Sequence, residues 1–313
     1  MLSRVPQRKR SVTGLYGACL ALAGAAAAIC AAPAPSRSAV LFIGDGMGPA
    51  YVTATRVARG GSGGSLRMDG LPYTALSRTH AADSPVTDSA AAASAMACGE
   101  KTANGVLCED ASAVYGKKDG RKLESIAVWA KKRGLRVGLV TTTTVTHATP
   151  AAFYAHEKDR DNEAGIARQA VASGFHFLLG GGRKFFPEDV RAEARAAGWT
   201  VVETADALRA IGGLDRRVLG LFADGHLPYQ PEIEAARKRP DGEGAANPGV
   251  AAARSAPTLP EMARWAIDAL RKTGQPFFLM VEGGRIDHAG HANWARTLVD
   301  ETAAFDEAIG YAV

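Results

Sequence analysis

The 313-residue sequence predicts an α/β fold, a three-layer sandwich built on a mostly parallel central sheet. Two observations carry that reading. Short apolar runs with β-strand character alternate with longer helical stretches, and three of the runs end in loops that carry unusual chemistry, as expected where a parallel sheet places its ligand site at the carboxyl ends of its strands. A composition of 47% hydrophobic and 22% charged residues supplies a core for one large domain and excludes a disordered or fibrous chain.

The elements follow in order. The first strand, 38–44, contains Ala39-Val40-Leu41-Phe42-Ile43. A helix over 88–98 opens at Thr87-Asp88-Ser89, where Thr87 or Asp88 can cap it, runs through small residues and stops at Gly99. A helix over 122–133 leads into a strand over 136–142; a helix over 162–173 leads into a short strand over 175–179; a helix over 187–197 leads into a strand over 200–203. The last alternation is a helix over 259–272, a strand over 276–282 and a long amphipathic helix beginning near Ala292. The stretch 226–257, rich in Pro, Gly and Ala with clustered charges, reads as a surface excursion inside one domain spanning 38–313.

The overall charge alone would suit a polyanionic partner, since 37 Lys and Arg against 32 Asp and Glu give +5. Arg4, Arg8, Lys9 and Arg10 account for four of these charges, and no acid occurs in residues 1–32, so the body carries only +1 and lacks the basic stripe of a nucleic-acid binder. That basic start precedes an Ala-rich apolar run over 12–32 and the segment Pro33-Ala34-Pro35-Ser36, the order of a secretory signal peptide. The run is too weakly apolar for a stable membrane span once cleaved, so the expected location is periplasmic or secreted. Export removes Cys19 and Cys30 and leaves Cys98 and Cys108, ten residues apart, as either a short-loop disulfide or two buried free thiols.

Three strand ends hold the candidate chemistry. The first strand enters Gly44-Asp45-Gly46-Met47-Gly48-Pro49. A dinucleotide loop needs a third glycine where Pro49 stands, which leaves Asp45 as a turn former or a metal-ligating carboxylate. Ser89 lies in the first turn of a helix among small residues that leave room for a substrate, at a helix end that favours anions; with no Gly-x-Ser-x-Gly elbow around it, activation by a metal is more plausible than by a triad. The strand 276–282 delivers Glu282-Gly283-Gly284-Arg285-Ile286-Asp287-His288-Ala289-Gly290-His291, in which Asp287 and His291 share one face of a helical turn as an oxygen and nitrogen pair suited to zinc, and Glu282 suits magnesium. Between them come Thr141-Thr142-Thr143-Thr144-Val145-Thr146-His147-Ala148-Thr149-Pro150 and then Arg160, whose guanidinium fork matches two phosphate oxygens.

In combination and in this order, Gly44-Asp45-Gly46-Met47-Gly48, Val86-Thr87-Asp88-Ser89-Ala90-Ala91-Ala92-Ala93, Val145-Thr146-His147-Ala148-Thr149-Pro150-Ala151, Leu178-Leu179-Gly180-Gly181-Gly182-Arg183 and the run from Val281 to His291 resemble alkaline phosphatase. The resemblance implies a phosphate monoester hydrolase with two zinc ions and one magnesium, in which Ser89 attacks phosphorus beside a zinc. It implies that Asp45 bridges a zinc and the magnesium, that Thr149 and Glu282 complete the magnesium ligands, that Asp287 and His291 hold the other zinc, that Arg160 binds phosphate and that His147 sits beside the magnesium site. A homodimer is also implied.

The sequence departs from that family in one respect: an Asp-His pair and a further histidine belonging to later strands have no counterpart, His291 being the last histidine. His80, His156, His176 and His226 lie outside matching contexts. The expectation is therefore an amino-terminal part of the catalytic domain that exposes a sheet edge, binds zinc weakly and turns over p-nitrophenyl phosphate very poorly. Two alternatives remain: a homologue that keeps phosphate or magnesium binding without turnover, and a phosphodiesterase or sulfatase of the wider superfamily. Against a sulfatase, no Cys/Ser-x-Pro-x-Arg segment stands near Ser89.

Overall fold

The structure, a computed structural model, describes residues 37–240, 242–244 and 246–313. The expected signal peptide, 1–32, lies outside the described residues. The strands are β1 (Ala39–Gly44), β2 (Arg136–Thr144), β3 (Phe177–Gly181), β4 (Trp199–Val202), β5 (Arg217–Leu221) and β6 (Phe277–Gly283). The helices are α1 (Pro49–Gly60), α2 (Ser89–Cys98), α3 (Ile126–Lys132), α4 (Ala148–Ala151), α5 (Glu163–Ala172), α6 (Glu188–Ala196), α7 (Ala205–Arg209), α8 (Gln230–Lys238), α9 (Pro248–Ser255), α10 (Leu259–Lys272), α11 (Arg285–His291) and α12 (Ala295–Ile309).

All six strands pair in parallel in the order β1-β6-β2-β3-β5-β4. Side chains alternate across a strand, so β6 sends Phe278 and Met280 to one face and Phe277, Leu279 and Val281 to the other. The first face packs on small and apolar residues of α2 to α6, including Ala90, Ala127, Ala151, Ile166 and Val190. The second packs on Met262, Ile267 and Leu270 of α10 and Phe305 of α12. The sandwich is thus three-layered because both sheet faces are apolar and each needs cover. Helix α10 shows how local sequence secures one layer: Thr258 and Glu261 cap it reciprocally and Pro260 sits in its first turn.

Several elements were not expected from the sequence. The stretch 226–257, read as a surface excursion inside one domain, holds the unforeseen helices α8 and α9, whose Ile233, Ala236 and Ala253 are buried. Strand β5 went unforeseen because its apolar run is only Val218-Leu219-Gly220-Leu221, too short to show a period, and it is defined by pairing with β3 and β4. Helix α1 also went unforeseen; its one fully buried residue is Thr55. Cys98 and Cys108 are not bonded to each other in the structure, although their sulfurs adjoin. Among the described residues β1 and β4 are the outer strands of the sheet, and no helix is long and apolar enough to cross a membrane.

Because every strand runs the same way, the residues that follow β1, β2, β5 and β6 emerge at one edge of the sheet. That edge is where the chemistry collects.

Candidate active site

A cavity of about 720 Å³ at this edge is lined by Asp45, Ser89, Thr149, Arg160, Asp287 and His291, together with His147 and His288. Glu282, fully buried at the end of β6, lies behind it. Asp45 and His291, 246 positions apart in sequence, therefore share one hollow.

Ser89 is the first residue of α2, and its hydroxyl donates to Asp45 Oδ2 at 2.9 Å, with Oδ1 at 3.2 Å. Asp88 caps the helix: one carboxylate oxygen accepts from Ala91 N, the other from Gly105 N at 2.9 Å and from Arg160 Nη1 at 3.0 Å. The same residue thus caps the serine's helix and fixes the guanidinium. The second Arg160 nitrogen, Nη2, donates to His147 Nε2 at 3.0 Å.

Asp45 sits on Gly46, which adopts φ +62°; a Cβ there would stand 2.4 Å from Asp287 Oδ1, so only glycine lets these two carboxylates approach. Burial and then the neighbouring Asp287 raise Asp45 to a pKa of about 6, against the opposing pull of Ser89, Arg160 and the Gly46 amide. Burial and then the charge of Asp45 push Glu282 up to about 8, against the hydroxyls of Thr141, Thr149 and Thr143. Thr141 Oγ1 donates to Glu282 Oε2 at 2.5 Å, while Glu282 Oε1 is buried without a partner.

Asp45, His147 and Glu282 present ligand atoms within 4.8 Å of one another, and His147 Nδ1 is also buried without a partner. Two carboxylates held close together, one of them fully buried, with an unsatisfied oxygen and an unsatisfied ring nitrogen, fit a divalent cation: its charge would remove the repulsion and its coordination would fill the empty valences. Burial and then Arg160 hold His147 well below the ordinary histidine range, so the imidazole is neutral, the form that ligates.

On the far side of the cavity, Asp287 and His291 lie one turn apart on α11, with His291 Nε2 3.5 Å from Asp287 Oδ2. His291 is 82% exposed and Asp287 25%, so the pair opens toward solvent, while Asp45 is partly buried and Glu282 is fully enclosed.

The structure adds groups that sequence reasoning left out. His226, following β5, accepts from Thr144 N through Nδ1 and stands 4.5 Å from His288 and 5.7 Å from His147, ring to ring. Arg285 stacks over Tyr229 at 3.6 Å and donates to His288 Nδ1 at 2.9 Å. Burial lowers His226 to about 3 and His288 to about 4. Glu163 accepts from the Thr144 and Thr146 hydroxyls and steadies the turn carrying His147. The signal for His226 was its place just past an apolar run, masked because β5 is so short.

The family model described as Alkaline phosphatase matches residues 36–313. The chain is 33% identical to the tissue-nonspecific alkaline phosphatase of Gallus gallus over 88% of its own length and 60% of that protein's. It is 36% identical to streptomycin-6-phosphate phosphatase of Streptomyces griseus, over 99% of this chain and 77% of that protein. Among solved structures, a cold-active alkaline phosphatase from Shewanella sp. superposes with a TM-score of 0.74 at 34% identity, covering 88% of this chain and 63% of that one. The enzyme of the Antarctic bacterium TAB5 gives 0.72 at 30%, covering 89% and 74%, and a mutant of it is described with Mg bound in its M3 site. The chain spans about three fifths of the length of the animal relatives it matches.

Proposed function

This chain belongs to the alkaline phosphatase family, and we propose that it hydrolyses phosphate monoesters through a phosphoserine formed on Ser89. One observation carries the reading: the Ser89 hydroxyl, held by Asp45, opens into the same cavity as the Arg160 guanidinium. Arg160, kept in place by Asp88, would clamp two phosphoryl oxygens. Asp45 orients the Ser89 hydroxyl, and the positive end of α2 favours the anion that approaches it. His147, held neutral, adds no competing charge beside the guanidinium.

Asp45 and Glu282, with His147 and Thr149 near them, would hold magnesium; Asp45 with Ser89, and Asp287 with His291, would face two zinc ions. Bound cations there would lower the serine pKa and stabilise charge on phosphoryl and leaving-group oxygens. Among the described residues the Asp287 and His291 pair gathers no third side-chain ligand, which supports weak zinc binding and slow turnover by this chain. The Arg-rich, Ala-rich start of the sequence supports export to the periplasm or beyond, and the family supports a homodimer.

The test is to incubate the chain with p-nitrophenyl phosphate, Zn²⁺ and Mg²⁺, quench in acid and map covalent phosphate by mass spectrometry. Phosphate on Ser89 is expected; an unmodified Ser89 with both metals saturating rejects the mechanism.

Two further results are expected. Arg160→Ala should weaken inorganic phosphate binding roughly 10- to 100-fold by calorimetry, the loss of a charge-assisted clamp. Glu282 and Asp45 have raised pKa values in the fold, so the native apo protein holds protons the unfolded chain has lost, and its stability falls as pH rises from about 4 through about 8. A Mg²⁺ ion must displace such a proton, so its affinity should rise up to about tenfold per pH unit below pH 8. Thermal unfolding with EDTA or Mg²⁺ across this range checks both statements, and Glu282→Gln should flatten the EDTA curve.

A further inference from the structure

Away from the cavity, Cys98 ends α2, the helix whose first residue is Ser89, and Cys108 lies in the loop that returns beneath it. Their sulfurs are 3.0 Å apart. Cys108 has φ +46°, a left-handed conformation uncommon for any residue but glycine, asparagine or aspartate. Its amide donates to Ser94 Oγ of α2 at 2.9 Å and its thiol to Ala152 O at 2.7 Å, so the thiol is anchored from two sides. Cys108 is buried, whereas Cys98 is partly exposed and within reach of solvent.

We propose that Cys98 and Cys108 form an intramolecular disulfide that latches the carboxyl end of the serine-bearing helix to the loop 99–108. The chemistry is thiol exchange with a small-molecule or protein disulfide. The Cys98 thiolate attacks one sulfur of that oxidant and releases a thiolate; Cys108, having lost its proton, then attacks Cys98 Sγ and releases the second thiolate. Two electrons pass to the oxidant, which leaves as two thiols once protonated. The contact between the two sulfurs lowers the Cys98 pKa and raises that of Cys108, which gives each its part: the partly exposed sulfur attacks first and the buried one resolves. Closure brings the sulfurs only about 1 Å nearer.

The consequence reaches the cavity through the loop itself. Asn104 Oδ1 accepts from Asp88 N, Gly105 N donates to Asp88 Oδ2, and Gly105 O accepts from Arg160 N, each at 2.9 Å. The latch therefore closes a ring in which helix, loop, Asp88 and Arg160 hold one another.

The purified chain, treated with glutathione disulfide, alkylated and digested with trypsin, should yield peptides 79–101 and 102–117 joined through Cys98 and Cys108. Reduction should lower its melting temperature by roughly 5 °C, and Cys98→Ser and Cys108→Ser variants should lose that sensitivity to reductant. Two alkylated thiols, a stable glutathione adduct on Cys98 alone, or a melting temperature indifferent to reductant would overturn the proposal. The mass measurement uses the wild-type chain, so it stands even where a variant fails to fold.

Discussion

Replacing Ser89 by alanine is expected to abolish covalent phosphorylation and to reduce metal-supported turnover of p-nitrophenyl phosphate by about 10³-fold or more, to the rate of the metal ions alone. The hydroxyl belongs to the first residue of α2 and lines the same cavity as the Arg160 guanidinium. Removing it takes away no core contact, since alanine retains the Cβ and Asp88 still caps α2 through the Ala91 amide. Mg²⁺ binding should survive, because Asp45, His147 and Glu282 remain. Acid-quenched phosphopeptide mapping and Mg²⁺ titration of the same preparation separate these outcomes. A variant that still carries covalent phosphate would place the nucleophile elsewhere.

Asp45→Asn is expected to have the second largest effect, and in two opposite directions. Asparagine keeps the shape and an oxygen to receive the Ser89 hydrogen bond, yet it removes the charge shared by the serine side and the Glu282 side of the site. Divalent-metal affinity should fall at least about 100-fold and phosphoserine formation should become undetectable. In EDTA at alkaline pH the same variant should melt higher than the parent, because a carboxylate crowded by Asp287 and by Glu282 is gone. Calorimetric metal titration and unfolding scans report the two effects independently. A drop in melting temperature in EDTA would mean that Asp45 supports the fold and not chiefly the metal.

Much of the fold was legible before any coordinates. Leu41 and Phe42 in β1, Leu139 and Val140 in β2, and Leu279 to Val281 in β6 form continuous apolar runs because both sheet faces are covered, and such runs advertise a buried parallel strand. Helix α10 appeared with its bounds intact, since a capping box and an apolar stripe mark both its start and its face. Helices α8 and α9 were obscured by the glycines and prolines between them, and β5 by its brevity.

The sequence by itself determined the candidate chemistry: an Asp after the first strand, a serine opening a small-residue helix, and a Glu, Asp and His cluster after the last strand, each a local pattern that neighbouring residues enforce. Only the tertiary structure decided what those groups do to one another. That Asp88 grips Arg160, that Glu282 is driven toward neutrality beside Asp45, that His226 joins His147 and His288, and that two thiols meet behind the serine's helix all depend on contacts across the sheet and between distant loops. The physical reason is that capping and periodicity act over a few residues of chain, whereas burial, charge repulsion and sulfur contact act through space, between groups that only the closed parallel sheet brings together.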